Sequence, residues 1–230
     1  MKFWSAQLTA VSGSIGGATY SHNKGGMYIR ARGIPTNPNT PQQQAVRGIL
    51  ADLANRWTQT LTLTQRNGWK AYADNVKVPD AFGQLRYVTP LNHYIRSNVP
   101  PIQKNGPGAR KDTAPSEFNV GSFSNPSVKA LSSTQMLEVA FLNTDEWAIE
   151  AGASMLIYTS KLIGAGIEYF KGPYRLLGQI IGNAAPPPTS PWTMAPGFTL
   201  VAGQKVYFRV VVSRLDGRLS YPFLVGCVST

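Results

Sequence analysis

Few residues in the chain are of types that could carry out chemistry. There are two histidines, His22 and His93, and one cysteine, Cys227. No Cys/His spacing suits zinc, which takes four such ligands in structural sites and three plus water in catalytic ones. Cys227 sits in the apolar run 223–228 and reads as a small buried residue rather than a reactive thiol. The acidic cluster is Asp145, Glu146 and Glu150. Paired carboxylates could serve glycoside hydrolysis, but surface acids on a loop at a strand end explain them more simply. No nucleophile elbow is present. Gly13, Gly16 and Gly17 lack the following Gly-Lys-Ser/Thr of a phosphate loop. No catalytic residue, cofactor or metal is expected.

Basic residues give the stronger signal. The net charge is +11, and residues 1–118 hold 14 Lys and Arg against 5 Asp and Glu, whereas residues 119–230 hold 8 against 6. Lys24, Arg30 and Arg32 flank a glycine-rich turn with Tyr20 and Tyr28 nearby, and Arg47 follows on a helix. On a strand, Arg30 and Arg32 would share a face. Lys24, Tyr28, Arg30, Arg32 and Arg47 are therefore the candidate contacts, either to a phosphate backbone or to an acidic protein surface. A plain solvated basic face accounts for them equally well. Trp57, Trp69 and Tyr72 are read as packing between helices.

The elements that would position these residues follow from local signals. Asn23-Lys24-Gly25-Gly26 marks a turn between two β-prone runs, a hairpin arm. Residues 35–41 carry three prolines and form an extended connector. Thr40, Pro41 and Gln43 make a helix start with a capping box. The stripe Val46, Ile49, Leu50, Leu53, Ala54, Trp57 continues that helix at a 3.6-residue period. A second helix begins near Thr62 or Thr64. A third begins at Thr89-Pro90 and is expected to stop before Pro100. The Pro/Gly-rich stretch 106–127 reads as a linker.

From about residue 128 the pattern turns to strands, expected at 136–142, 154–159, 174–181, 198–200, 206–213 and 219–228. Along 206–213, Val206, Phe208, Val210 and Val212 alternate with Tyr207, Arg209, Val211 and Ser213, the period of a sheet with one face in a core. The fold class is thus α+β: an N-terminal β-hairpin arm plus a small helical cluster, followed by a C-terminal antiparallel β-sandwich. The expected domains are 1–105, a linker at 106–127, and 128–230.

Two resemblances add to this. Gly203-Gln204-Lys205-Val206-Tyr207-Phe208-Arg209-Val210 followed by Asp216-Gly217-Arg218-Leu219-Ser220-Tyr221-Pro222 resembles the end of a fibronectin type III-like or immunoglobulin-like sandwich. Gly13, Gly16, Lys24-Gly25, Arg30, Arg32, the connector at 35–40, Gln43, Arg47 and Trp57 resemble phage- and prophage-encoded, virion-associated proteins of unknown function. The second resemblance implies a non-enzymatic structural protein of a phage-like virion, a decoration, connector or tail-associated subunit. It would be assembled in the host cytoplasm as a homo-oligomer with other virion proteins, through the basic N-terminal region. The alternatives are a nucleic-acid-binding protein using the basic half, and a glycan-binding module on the sandwich. No run approaches the roughly 20 apolar residues of a membrane helix, so membrane insertion is not expected, and the first residues do not read as a signal peptide.

Overall fold

The structure is a computed structural model, and it describes residues 12–230 except 24–25, 35 and 81–82. It separates into two compact units, 1–43 and 44–230.

In the first unit a glycine-permitted turn, with Gly16 at φ +55°, joins β1 (Gly13–Ile15) to β2 (Ala18–Asn23), which pairs in turn with β3 (Gly26–Ala31). The expected hairpin is therefore a three-stranded antiparallel meander in the order β1-β2-β3. His22 lies on β2.

Helices come next, the first of them running across residue 43 into the second unit. In α1 (Pro41–Gln59) the N-terminus is closed by Thr40 and Gln43, each accepting the other's backbone N–H at 3.3 Å. Leu53 of its apolar stripe is fully buried, while Leu50 at the edge of the stripe stays exposed. In α2 (Leu63–Asn75) Thr62 and Gln65 form the same reciprocal cap. Val78–Pro79 (β4) and Leu85–Arg86 (β5) then form a short ladder. In α3 (Pro90–Asn105) Thr89 accepts the Asn92 N–H at 3.3 Å. Trp69, Tyr72 and Tyr94 fill the helical core edge to face, with Trp69 5.7 Å from Tyr72 and 5.5 Å from Tyr94.

α3 does not stop before Pro100 but runs through Pro100 and Pro101 to Asn105. The two prolines each remove one helical hydrogen bond. Burial of Ile102 in the helical core and the Gly106 N–H bonded to the Ile102 carbonyl at 2.9 Å hold the last turn in place.

The remainder is a sandwich of antiparallel sheets. β6 (Ser127–Leu131), β7 (Met136–Ala140) and β10 (Trp192–Met194) form one sheet, in the order β10-β7-β6. β8 (Ser154–Thr159), β9 (Arg175–Ile181), β11 (Lys205–Ser213) and β12 (Phe223–Val228) form the other, in the order β12-β11-β8-β9. A one-turn helix, α4 (Glu146–Ile149), joins β7 to β8 and drops Trp147 into the core. Val206, Phe208, Val210 and Val212 meet Leu137 and Val139 of the opposite sheet there, each large side chain contributing about 1.5–3 kcal/mol by burial.

The expected strand at 198–200 is absent. The side-chain amide of Gln135 satisfies both polar groups of the Leu200 backbone, at 2.7 and 3.0 Å, in place of a ladder. Among the described residues no helix is long and apolar enough to cross a membrane.

Candidate functional site

Of the five contact candidates, Lys24 lies outside the described residues. Tyr28 and Arg30 alternate onto one face of β3, opposite Ser21 and Thr19. Tyr20 pairs with Ile29 and so belongs to the other face, with Ile15, Ala18 and Met27. Arg32 falls one residue beyond the strand, its N–H donating to the Gly17 carbonyl at 2.9 Å. Arg47 is exposed on α1 in the second unit. The structure thus brings Tyr28 and Arg30 together on one face of β3.

The acids read as a surface cluster are structural. Asp145 is buried and accepts both the backbone N–H and the hydroxyl of Ser124, at 2.8 and 3.0 Å. Glu146 and Glu150 close on the buried guanidinium of Arg214, which holds the Glu146 carboxyl below its usual value. Such a pair is spent on an ion network and is not poised as an acid and a base. Cys227 is half-buried against the sandwich core, and burial pushes its thiol up to about 11. Trp57 and Trp69 pack in the helical core as expected.

The concave surface of the second unit lies where the helices meet the sandwich. β11 presents Tyr207, Arg209 and Val211 away from the sandwich core, and β8 sets Tyr158 beside Arg209 and Leu156 beside Val211. α3 lies along this outer face. It is tied there by Arg96 Nη2 donating to the Ser220 carbonyl at 3.2 Å, and by Gln179 Nε2 of β9 donating to Asn105 Oδ1 at 2.9 Å. The segment 219–223, between the Arg214–Arg218 turn and β12, then separates two cavities. One, of about 380 Å³, is lined by Tyr72, Phe118, Val120, Phe123, Tyr221 and Phe223, with Asn119, Asn125 and Ser220 at its polar positions. The other, of about 290 Å³, lies between α3 and the outer face of β8 and β11. They share Leu219, Ser220 and Pro222.

The aromatic cavity is held open by its frame. The Tyr221 hydroxyl donates to the Lys77 carbonyl at 2.9 Å. Arg218, buried beneath, grips Glu117, Asp216 and the Asn119 carbonyl, which fixes the stretch 117–121. That stretch lies in the expected linker.

His93 packs behind Tyr72, ring centroids 5.4 Å apart, and is only 1% exposed. Burial, with the neighbouring Arg96, lowers its pKa below the ordinary 6.5, opposed only by the Val76 backbone. The unfolded chain takes up this proton near pH 6.5 and the folded chain does so only at lower pH, so stability is lost as pH falls from about 6.5 toward the folded value. The melting temperature of the wild-type chain is expected to fall between pH 7.5 and 5.5, and His93→Leu to flatten that slope. Parallel slopes for the two proteins would show that His93 titrates alike folded and unfolded.

No family model matches this chain, and no curated protein does. Among solved structures, "Structure of T.fusca AA10A" is similar at 14% identity and a TM-score of 0.26, over 84% of this chain and 88% of that one. The expectation of a non-enzymatic virion protein is not supported by these findings and is withdrawn. A TM-score of 0.26 gives the likeness no weight for assigning an activity in its place.

Proposed function

We propose that this chain is a ligand-binding protein whose recognition surface is the aromatic cavity beside residues 219–223. The observation that carries this is the convergence of aromatic side chains from three places in the chain on one cavity of about 380 Å³. Tyr72 comes from α2, Phe118 and Phe123 from the 106–127 stretch, and Tyr221 and Phe223 from the last strand and its approach. Ligand sites are concave and mostly apolar, with a few placed polar groups. Phe118 and Tyr221 are 44% and 48% exposed although Arg218 and the Lys77 carbonyl fix their surroundings. Ordered, exposed aromatic rings are surfaces that gain by covering. The ligand this favours carries an apolar or aromatic body.

A neutral fluorescent naphthylamine tests the reading without help from charge. It is expected to bind saturably to the wild-type chain. Val120→Trp and Asn125→Trp, which fill the cavity from two sides, are expected to weaken it about tenfold or more, the equivalent of 1.4 kcal/mol. Equal binding to the wild type and to both folded variants would reject the cavity as the site.

A further inference from the structure

Several arginines of the second unit are answered by carboxylates: Arg56 by Asp112, Arg214 by Glu146 and Glu150, and Arg218 by Glu117 and Asp216. Arg96 and Arg209 are different. Both line the cavity of about 290 Å³ between α3 and the outer face of β8 and β11. Among the described residues neither takes part in any ion pair, and none of the residues outside the description is acidic. Arg96 has one hydrogen-bond acceptor, the Ser220 carbonyl at 3.2 Å, for its five N–H donors. Arg209 lies over the Tyr158 ring, 5.5 Å from guanidinium carbon to centroid, which orients it without neutralising it.

Two like charges facing one partly desolvated space are unfavourable by themselves. Burial lowers the pKa of Arg96, against the opposing influence of Tyr72 and Tyr221, and the charge of Arg209 adds to the lowering. A guanidinium does not release its proton in a protein, so an anion, and not titration, would relieve this repulsion. Gln103 lines the same cavity and brings an amide. Burial raises the pKa of Tyr158 and keeps its hydroxyl a donor.

We infer that this cleft is an anion-binding site, in which Arg96 and Arg209 together hold a phosphate or carboxylate group. Planar, forked donors match both groups, which accept two parallel N–H bonds from one guanidinium. A cavity of this size takes a small anion or the anionic end of a larger ligand. Because it shares Leu219, Ser220 and Pro222 with the aromatic cavity, the anion can be one end of a ligand whose apolar body lies across residues 219–223. That last link rests on the proposed function; the anion site itself does not.

Calorimetric titrations with sodium phosphate and with sodium acetate, at constant ionic strength made up with chloride, test the site. Saturable binding of at least one anion is expected. It should weaken about tenfold in Arg209→Gln and in Arg96→Gln, as the loss of a charge-assisted hydrogen-bonded pair implies. Arg209 is exposed, so Arg209→Gln remains a fair test even if Arg96→Gln folds poorly. Tighter phosphate than acetate assigns the site to phosphoryl ligands, and the reverse to carboxylates. Gly48→Ala, which lines neither cavity, should leave the anion affinity unchanged, and since neither probe carries a large apolar body, failure of this site is distinct from failure of the aromatic cavity. Absence of saturable binding by either anion, or affinity that Arg209→Gln does not alter, would overturn the inference.

Discussion

Gly182→Ala lowers the unfolding free energy by about 3 kcal/mol or more, the upper end of what forced overpacking costs. Gly182 follows β9 and is locked on both sides, its N–H donating to the Ala153 carbonyl at 2.8 Å and its carbonyl accepting from the Gly152 N–H at 3.3 Å. A β-carbon there would stand 2.1 Å from the Trp147 carbonyl oxygen and 2.6 Å from that of Glu150. Both obstacles are backbone, in or next to α4. That helix cannot retreat, because Trp147 and Ala148 are fully buried in the sandwich core and the Ala148 carbonyl is held by the Asn183 N–H at 2.8 Å. Gly48→Ala is the matched control. Its β-carbon meets nothing within 4 Å on helix α1, so the same change should stabilise by roughly 0.5–1 kcal/mol. Denaturant titration measures both. A loss below about 1 kcal/mol for Gly182→Ala would mean that α4 moves freely.

The helix starts were legible because they are local. Thr40 with Gln43 and Thr89 before Pro90 each announce a cap whose partner lies three residues on, and the second start was bracketed between Thr62 and Thr64, of which Thr62 is the cap. The inward face of β11 was legible for the same reason, since Val206, Phe208, Val210 and Val212 need only the period of a strand. What misled was local evidence overruled by packing. Pro100 and Pro101 are strong stop signals, yet the helix continues because Ile102 has a place in the core. The strand expected at 198–200 was replaced by a side-chain clasp from Gln135, far away in the sequence. The cavities were not legible at all. Arg96 meets Ser220 across 124 residues of chain, and no spacing rule reaches that far. One signal could have been followed further: Arg209 is a charge in the middle of β11, between Phe208 and Val210, on the side facing away from the core. The reading from residues 1–32 looked instead for basic residues near one another in sequence, and there Arg30 shares a strand face with an aromatic, Tyr28.

Asp112→Ala is expected to cost about 3 kcal/mol, because it strands its partners rather than merely removing a contact. Asp112 lies in the stretch expected to be a linker, and it pins that stretch to the helices. Its carboxylate takes Arg56, the Arg110 Nε at 3.5 Å and the Tyr94 hydroxyl at 2.9 Å, while its carbonyl accepts the Trp69 indole N–H at 3.0 Å. Tyr94 is fully buried, and its hydroxyl is left without this acceptor when the carboxylate goes. The Asp112 side chain is 27% exposed and that of Arg56 is 23%, so water recovers part of the loss. Asp112→Asn, which keeps an acceptor but not the charge, should cost less than Asp112→Ala. The pH dependence separates this from a loss of packing. Burial alone would raise the Asp112 pKa, but the hydrogen bonds from Arg56 and Tyr94, with the charges of Arg56 and Arg110, bring it below the ordinary 3.8. A carboxyl depressed on folding contributes stability above its unfolded pKa and loses it as pH falls toward the folded value. The wild-type chain should therefore shed this contribution below about pH 4. The Asn and Ala variants start lower at pH 7 and should converge on the wild type in acid. Variants that stay equally far below the wild type at every pH would show that Asp112 works through packing and not through its charge.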